Sequence, residues 1–198
     1  MNFRILPCLV AMAVAGPAAA IAASQNPTDL PAGVYTLDKK HASVTARVLH
    51  MGVSMYTMRF DTLDASFTYD PAHPGDARVK ASVDATSLDV GAPYSRKFAD
   101  EFLDASNHSA ITFVSTAVTP SPDGRTGTMT GDLTLRGVTH PETFNVNFVG
   151  VGHGLFGGTI TGFSAVTTIK RSDFGSTFLL NLVGDDVTID IEAEFDRK

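Results

Sequence analysis

The chain has no tryptophan and one cysteine, Cys8, among its 198 residues. Cys8 sits inside an N-terminal apolar stretch, in the order Leu6-Pro7-Cys8, too early for a lipoprotein acylation site. No disulfide can therefore staple the rest of the chain, and a packed core must stabilise it. Positive charge is also scarce: 15 Lys and Arg stand against 21 Asp and Glu, for a net charge of −6, and no basic cluster occurs. That speaks against nucleic acid and anionic surfaces as electrostatic partners. Nucleophile and phosphate motifs are missing too, with no Gly-x-Ser-x-Gly, no cysteine nucleophile and no glycine-rich phosphate loop. The histidines His41, His50, His73, His108, His140 and His153 lack His-x-His or His-x3-His spacing, so no metal site is expected.

The first segment has a clear character. Arg4 precedes an apolar run from Ile5 to Ala15, broken only by Pro7, and Ala18-Ala19-Ala20-Ile21-Ala22-Ala23 offers small-x-small cleavage sites. Residues 1–23 read as a secretory signal peptide, because the apolar run falls short of the roughly 20 residues a membrane span needs. Export to the periplasm is the expectation. Residues 24–32 read as a flexible, proline-bearing lead-in, and 33–198 as one domain with room for a core.

Alternation of apolar and polar residues dominates that domain. Strands are expected at residues 34–38, 43–50, 60–69, 78–85, 110–119, 126–136, 138–149, 159–171 and 186–195. Val79, Ala81, Val83 and Ala85 alternate with Lys80, Ser82, Asp84 and Thr86, and Ile189, Ile191, Ala193 and Phe195 with Asp190, Glu192 and Glu194. The methionine-rich residues 51–59 read as a short helix or loop over one end of the sheet, and 150–158 as a flexible glycine-rich connection. One helix is expected over 93–103, with Tyr94, Phe98 and Phe102 as an aromatic stripe facing the sheet. Within Gly131 to Thr139, Leu133 and Leu135 face one way, Asp132, Thr134 and Arg136 the other, and Gly137 turns the chain into the next strand. About eight long strands with one short helix suit an all-β, closed antiparallel barrel, which has no free edges and can just hold one ligand.

The candidate site is then the inward apolar set: Val44, Val48, Phe67, Val83, Phe113, Leu133, Phe144 and Phe163 are expected to wall a cavity. The same residues would also serve as plain core. His50 shares strand parity with Val44 and Val48, which puts it at a cavity mouth. Asp38 with His41, and Arg171 with Asp173, are two acid-base pairings whose simpler readings are a capped turn and a local ion pair.

Several segments, in order, resemble the YceI-like family of bacterial polyisoprenoid-binding proteins. They are Tyr35-Thr36-Leu37-Asp38 with His41-Ala42-Ser43-Val44, Ser87-Leu88-Asp89-Val90-Gly91, Phe102-Leu103-Asp104, Ile111-Thr112-Phe113, Gly131 to Thr139, Gly162-Phe163 and Arg171-Ser172-Asp173-Phe174-Gly175. One departure stands out. Family members often carry an arginine-aspartate-x-histidine pattern before the mid-chain Phe-Leu-Asp, where this chain reads Pro93-Tyr94-Ser95-Arg96-Lys97-Phe98, so no role of that histidine carries over. The resemblance implies a lipocalin-like barrel around an elongated cavity that holds a polyprenyl chain, an isoprenoid quinone tail or another fatty lipid. It also implies that His41 and Arg171 lie near strand ends, either as rim or head-group residues or in a structural role, the second being the simpler reading for Arg171. No cofactor and no turnover are expected, and the partners are the lipid and a membrane protein for its exchange, with the chain a monomer or homodimer. Three rivals stay open. They are a hydrolase or isomerase using Asp38, His41 or Arg171 at the mouth, an envelope protein with a filled core, and an outer-membrane barrel. The last would turn Lys80, Asp84, Arg136, Asp190, Glu192 and Glu194 toward lipid at high cost.

Overall fold

The computed structural model describes residues 23–91 and 93–198. The expected signal peptide, apart from its last residue, Ala23, lies outside them. Ten strands form one sheet: β1 (Gly33–His50), β2 (Ser54–Phe60), β3 (Leu63–Tyr69), β4 (Arg78–Asp84), β5 (Leu88–Asp89), β6 (Ala110–Pro120), β7 (Thr126–Leu135), β8 (Val138–His153), β9 (Thr159–Lys170) and β10 (Val183–Arg197). Among the described residues there is a single α-helix, α1 (Ser95–Leu103), between β5 and β6.

All pairings are antiparallel, and β1 pairs with β10 from Tyr35↔Arg197 to His50↔Val183, which closes the sheet. β2 and β3 act as one broken stave, since both pair with β1 (Val44↔Phe60, Tyr35↔Phe67), and β4 and β5 pair with them in turn. The result is an eight-stave closed antiparallel barrel with one short helix, as the alternation suggests. Closure removes the sheet edges that would otherwise invite pairing with other chains.

Several local expectations are corrected. Residues 34–38 and 43–50 belong to one strand, and the segment between them is a bulge. Leu37 pairs with Phe195 and Ala42 with Ala193, so β1 carries three extra residues and its inward parity switches from odd to even positions. Residues 54–60 are a strand, where a helix or loop was expected. Tyr56, Met58 and Phe60 face the barrel interior while Met55, Thr57 and Arg59 face out, a period of two that the methionine content obscures. Met51 (φ 53°) and Gly52 (φ 69°) adopt the left-handed conformation that turns the chain between β1 and β2.

The lead-in is docked rather than flexible. Ser24 exchanges 2.8 Å main-chain hydrogen bonds with Val151 in both directions, and Leu30 is 1% exposed in the core with Tyr35 and Phe67. The Tyr35 hydroxyl donates to the Pro31 carbonyl at 2.7 Å. Gly150 and Gly152 serve this docking, each passing close to Ala23 or Ser24. β8 continues through Gly150 and Gly152 to His153, and a Cβ on Gly150 would stand 3.1 Å from the Ser24 carbonyl oxygen. In the β7–β8 hairpin, Arg136 (φ 55°) and Gly137 (φ 75°) form the two-residue turn that the strand twist favours.

Candidate functional site

The interior is a cavity of about 680 Å³ that runs the length of the barrel. One end, the floor, is formed by Pro27, Leu30, Pro71, Pro74 and the β6–β7 turn; the other, the mouth, by His50, Tyr56, Tyr94, Phe98, Phe102, Leu179 and Val183. That volume lies within the range of roughly 300 to 1,000 Å³ common for small-molecule sites.

All eight residues expected as cavity wall line it: Val44, Val48, Phe67, Val83, Phe113, Leu133, Phe144 and Phe163. They sit at different depths. Near the floor, Phe67 stacks on Tyr35 at 4.6 Å and meets Phe163 and Phe195 edge-on at 5.6 and 5.0 Å. Midway, Phe113 and Phe144 pack edge-to-face at 5.2 Å. Rings held this way keep their rotamers and present a fixed apolar wall. Val83 lies between its pairing partners Leu63 and Ile111, which also line the cavity.

Two polar rings, His50 and Tyr56, enter the lining at the mouth. His50 lies 6.2 Å from the Tyr56 ring, and the Tyr56 hydroxyl donates to the Val90 carbonyl at 2.8 Å, tying β2 to the segment before α1. The aromatic stripe is only partly inward. The helix begins at Ser95, so Tyr94 sits exposed at its N-cap, while Phe98 and Phe102 close on the cavity. Phe102 packs against Phe178 at 5.2 Å.

Arg171 also lines the mouth, but the expected ion pair with Asp173 is not formed. At 5% exposure, its guanidinium donates to four main-chain carbonyls: Gly184 (2.8 Å), Ser176 (2.8 Å), Phe178 (2.9 Å) and Val183 (2.7 Å). It lies 5.5 Å from the Phe102 ring centroid. Burial pulls its pKa down, opposed by the charge of Asp185. The carboxylate that acts on Arg171 is Asp185, through its charge and without a direct bond; it accepts from the Ser172 main-chain N–H (2.9 Å) and hydroxyl (2.8 Å). Burial raises the Asp185 pKa, but the Ser172 bonds, with Lys170 and Arg171, outweigh it and hold the carboxyl below its ordinary value.

His41 is not at the rim. It sits on the outer wall in the β1 bulge, away from the cavity, with its side chain 64% exposed. Its Nδ1 meets the Asp38 carboxylate at 2.8 Å and lies 3.9 Å from Glu194. The Asp38 hydrogen bond raises the His41 pKa, and the same bond lowers that of Asp38. Asp38, His41 and Glu194 bring their ligand atoms within 4.8 Å, which makes them the group among the described residues that could hold a metal. The hydrogen-bonded ion pair accounts for their arrangement. An acid-base pair facing bulk solvent there cannot reach a guest inside the barrel.

The sequence reading passed over Tyr56, Met58, Leu179 and Val183 as lining residues. Alternation over 54–60 could have found the first two. Leu179 lies in an irregular loop with no periodic signal.

This geometry defines a lipocalin-like ligand-binding barrel. The sequence matches the YceI-like domain over residues 35–195, and the chain belongs to that family. A UPF0312 protein of Vibrio campbellii is 36% identical over 166 residues, covering 82% of this chain and 85% of that protein. The crystal structure of Burkholderia cenocepacia BcnA aligns with a TM-score of 0.71 at 27% identity, covering 80% of this chain and 98% of that one. A polyisoprenoid-binding domain from Saccharophagus degradans shares the fold, with a TM-score of 0.58 at 16% identity, over 83% of this chain and 98% of its own.

Proposed function

We propose that this protein is a periplasmic carrier that holds the chain of a long isoprenoid, such as a polyprenol or an isoprenoid quinone tail, and releases it unchanged. The observation that carries this reading is the cavity, which runs from floor to mouth between aromatic and aliphatic walls and whose one buried cation, Arg171, is already engaged by main-chain carbonyls. Such a space suits a long, unbranched or regularly methylated chain. Each buried methylene contributes about 0.8 kcal/mol, so a tail of this length outweighs the ordering and association costs. The Saccharophagus domain of the same fold binds a polyisoprenoid. The apolar leader, with Arg4 before it and small residues after it, supports export.

The test is mass spectrometry of solvent extracts from protein purified without detergent from its native host, with N-terminal sequencing of the same material. An isoprenoid recovered in stoichiometric amount supports the reading. A lipid-free extract, together with failure to take up the polyprenol solanesol in vitro, overturns it. An N-terminus at Met1 overturns the export part alone.

A further inference from the structure

We propose that the mouth end of the barrel docks on a lipid bilayer and draws its cargo directly from the membrane, an inference that rests on the carrier function above. Opposite the α1 segment, this end carries two neighbouring apolar segments. The β1–β2 hairpin exposes Met51, Val53 and Met55, with Val53 85% exposed at its tip, and the loop before β10 exposes Leu179, Leu180 and Leu182. The two are joined, since the Met51 N–H donates to the Leu182 carbonyl at 2.6 Å and His50 pairs with Val183. Together they form one continuous apolar crown.

No Asp, Glu, Lys or Arg occurs in residues 48–58 or 174–184, in a chain that is 18% charged. Charge resumes just below the crown on the outer wall, and there it is paired: Arg47 with Asp190 at 2.9 Å and Lys170 with Asp186 at 2.8 Å. An apolar cap above a charged belt matches the depth profile of a bilayer interface. The same crown is continuous with the interior, because His50, Tyr56, Leu179 and Val183 belong both to these segments and to the cavity lining. A lipid tail crossing the crown would keep apolar contact throughout.

The shape favours a bilayer over a second copy of the chain. Val53 stands on a convex turn set by the left-handed Met51 and Gly52, and a second copy would oppose one convex tip to another. Methionine side chains are flexible and adapt to a fluid surface. Arg96 and Lys97 on α1 are each engaged along the helix, with Asp100 at 3.4 Å and Glu101 at 3.8 Å. The attraction is therefore apolar and insensitive to salt.

The test is flotation of the purified protein with phosphatidylcholine vesicles at low and high salt, alongside transfer of solanesol between vesicle populations. The variant is Val53→Asp combined with Leu180→Asp, both at exposed positions, with an unchanged melting temperature confirming the fold. The control is Phe156→Asp, fully exposed on the β8–β9 turn at the floor end. Flotation and transfer should fall about tenfold or more in the double variant, as charge at an apolar lipid contact requires, and stay unchanged in the control. Equal flotation and transfer by the double variant and the wild type overturns the inference. So does a double variant whose sole change is from dimer to monomer by sedimentation. Vesicle binding by a protein that never retains solanesol would keep the docking and remove the carrier reading. Solanesol retention without vesicle binding would do the reverse.

Discussion

The Arg171 guanidinium holds the Ser176 main-chain oxygen at 2.8 Å, and through it the loop that borders the mouth. One planar group meets four carbonyls, an arrangement that a rigid fork of donors can satisfy and a single ammonium cannot. Arg171→Ala leaves these carbonyls without their buried cation. We expect it to cost several kcal/mol, because each buried carbonyl left without a donor costs about 1 to 3 kcal/mol, with Arg171→Lys recovering little. Urea denaturation of both variants measures this. Wild-type stability in Arg171→Ala with a large loss of lipid affinity would instead make Arg171 a head-group contact.

Val83 tests the cavity without breaking the barrel. It lies on the wall between Leu63 and Ile111, where a larger side chain projects into open space. Val83→Trp should keep the circular dichroism spectrum and lower solanesol uptake several-fold. By contrast, Phe144→Asp places an unpaired charge at a site 4% exposed and should cost several kcal/mol, so it reports on folding as well as binding. Full uptake by a folded Val83→Trp protein would remove Val83 from the ligand path.

Gly131 lies midway along β7, opposite Ser115, and its role there is steric. A Cβ at this position would collide with the Val114 carbonyl oxygen and stand 2.5 Å from Cζ of Phe113. The Phe113 ring crosses the β7 backbone at this point, beside the irregularity between Ser115 and Ala117. Gly131→Ala should therefore displace Phe113 and destabilise the protein by about 1 to 3 kcal/mol, the range for overpacking a core. A denaturant midpoint equal to that of the wild type would contradict this.

The barrel was legible because its strands alternate strictly. Val79, Ala81 and Val83, and Ile189, Ile191, Ala193 and Phe195, declare their inward faces residue by residue and all line the cavity, whereas Ala85, expected to end the strand, is buried in a short helical turn. Legibility failed where one strand changes parity. The Asp38 to His41 bulge shifts the inward set from Leu37 to Val44, so two apparent strands are one, and His41, read as a rim residue, faces solvent mid-wall. Sequence neighbours also misled at Arg171. Asp173 is closer along the chain, but the short helical turn over Arg171–Phe174 directs the guanidinium toward the carbonyls of the following loop and brings Asp185 to Ser172. Contacts across a long connection leave no periodic trace. The docking of Leu30 beneath the floor was hidden for the same reason.

The bulge pair gives the last prediction, one of pH. Asp38 holds His41 above the ordinary imidazole value of 6.5, and His41 holds Asp38 below its ordinary 3.8. A group whose folded pKa is raised stabilises fully below its unfolded value and stops doing so as pH rises through the folded one. For Asp38 the sign is opposite, and its contribution is lost as pH falls through its depressed value. The pair therefore contributes most between about pH 3.8 and 6.5, and weakens on either side. Both groups face water, so the effect on global stability is small. The clean readout is the His41 ring itself. Titration followed by NMR should show it deprotonating above the ordinary imidazole range in the wild type and returning toward that range in Asp38→Asn. Glu194→Gln, whose carboxylate lies 3.9 Å away, should lower it by less. A His41 titration unmoved by Asp38→Asn would mean that the hydrogen bond across the bulge does not hold in solution.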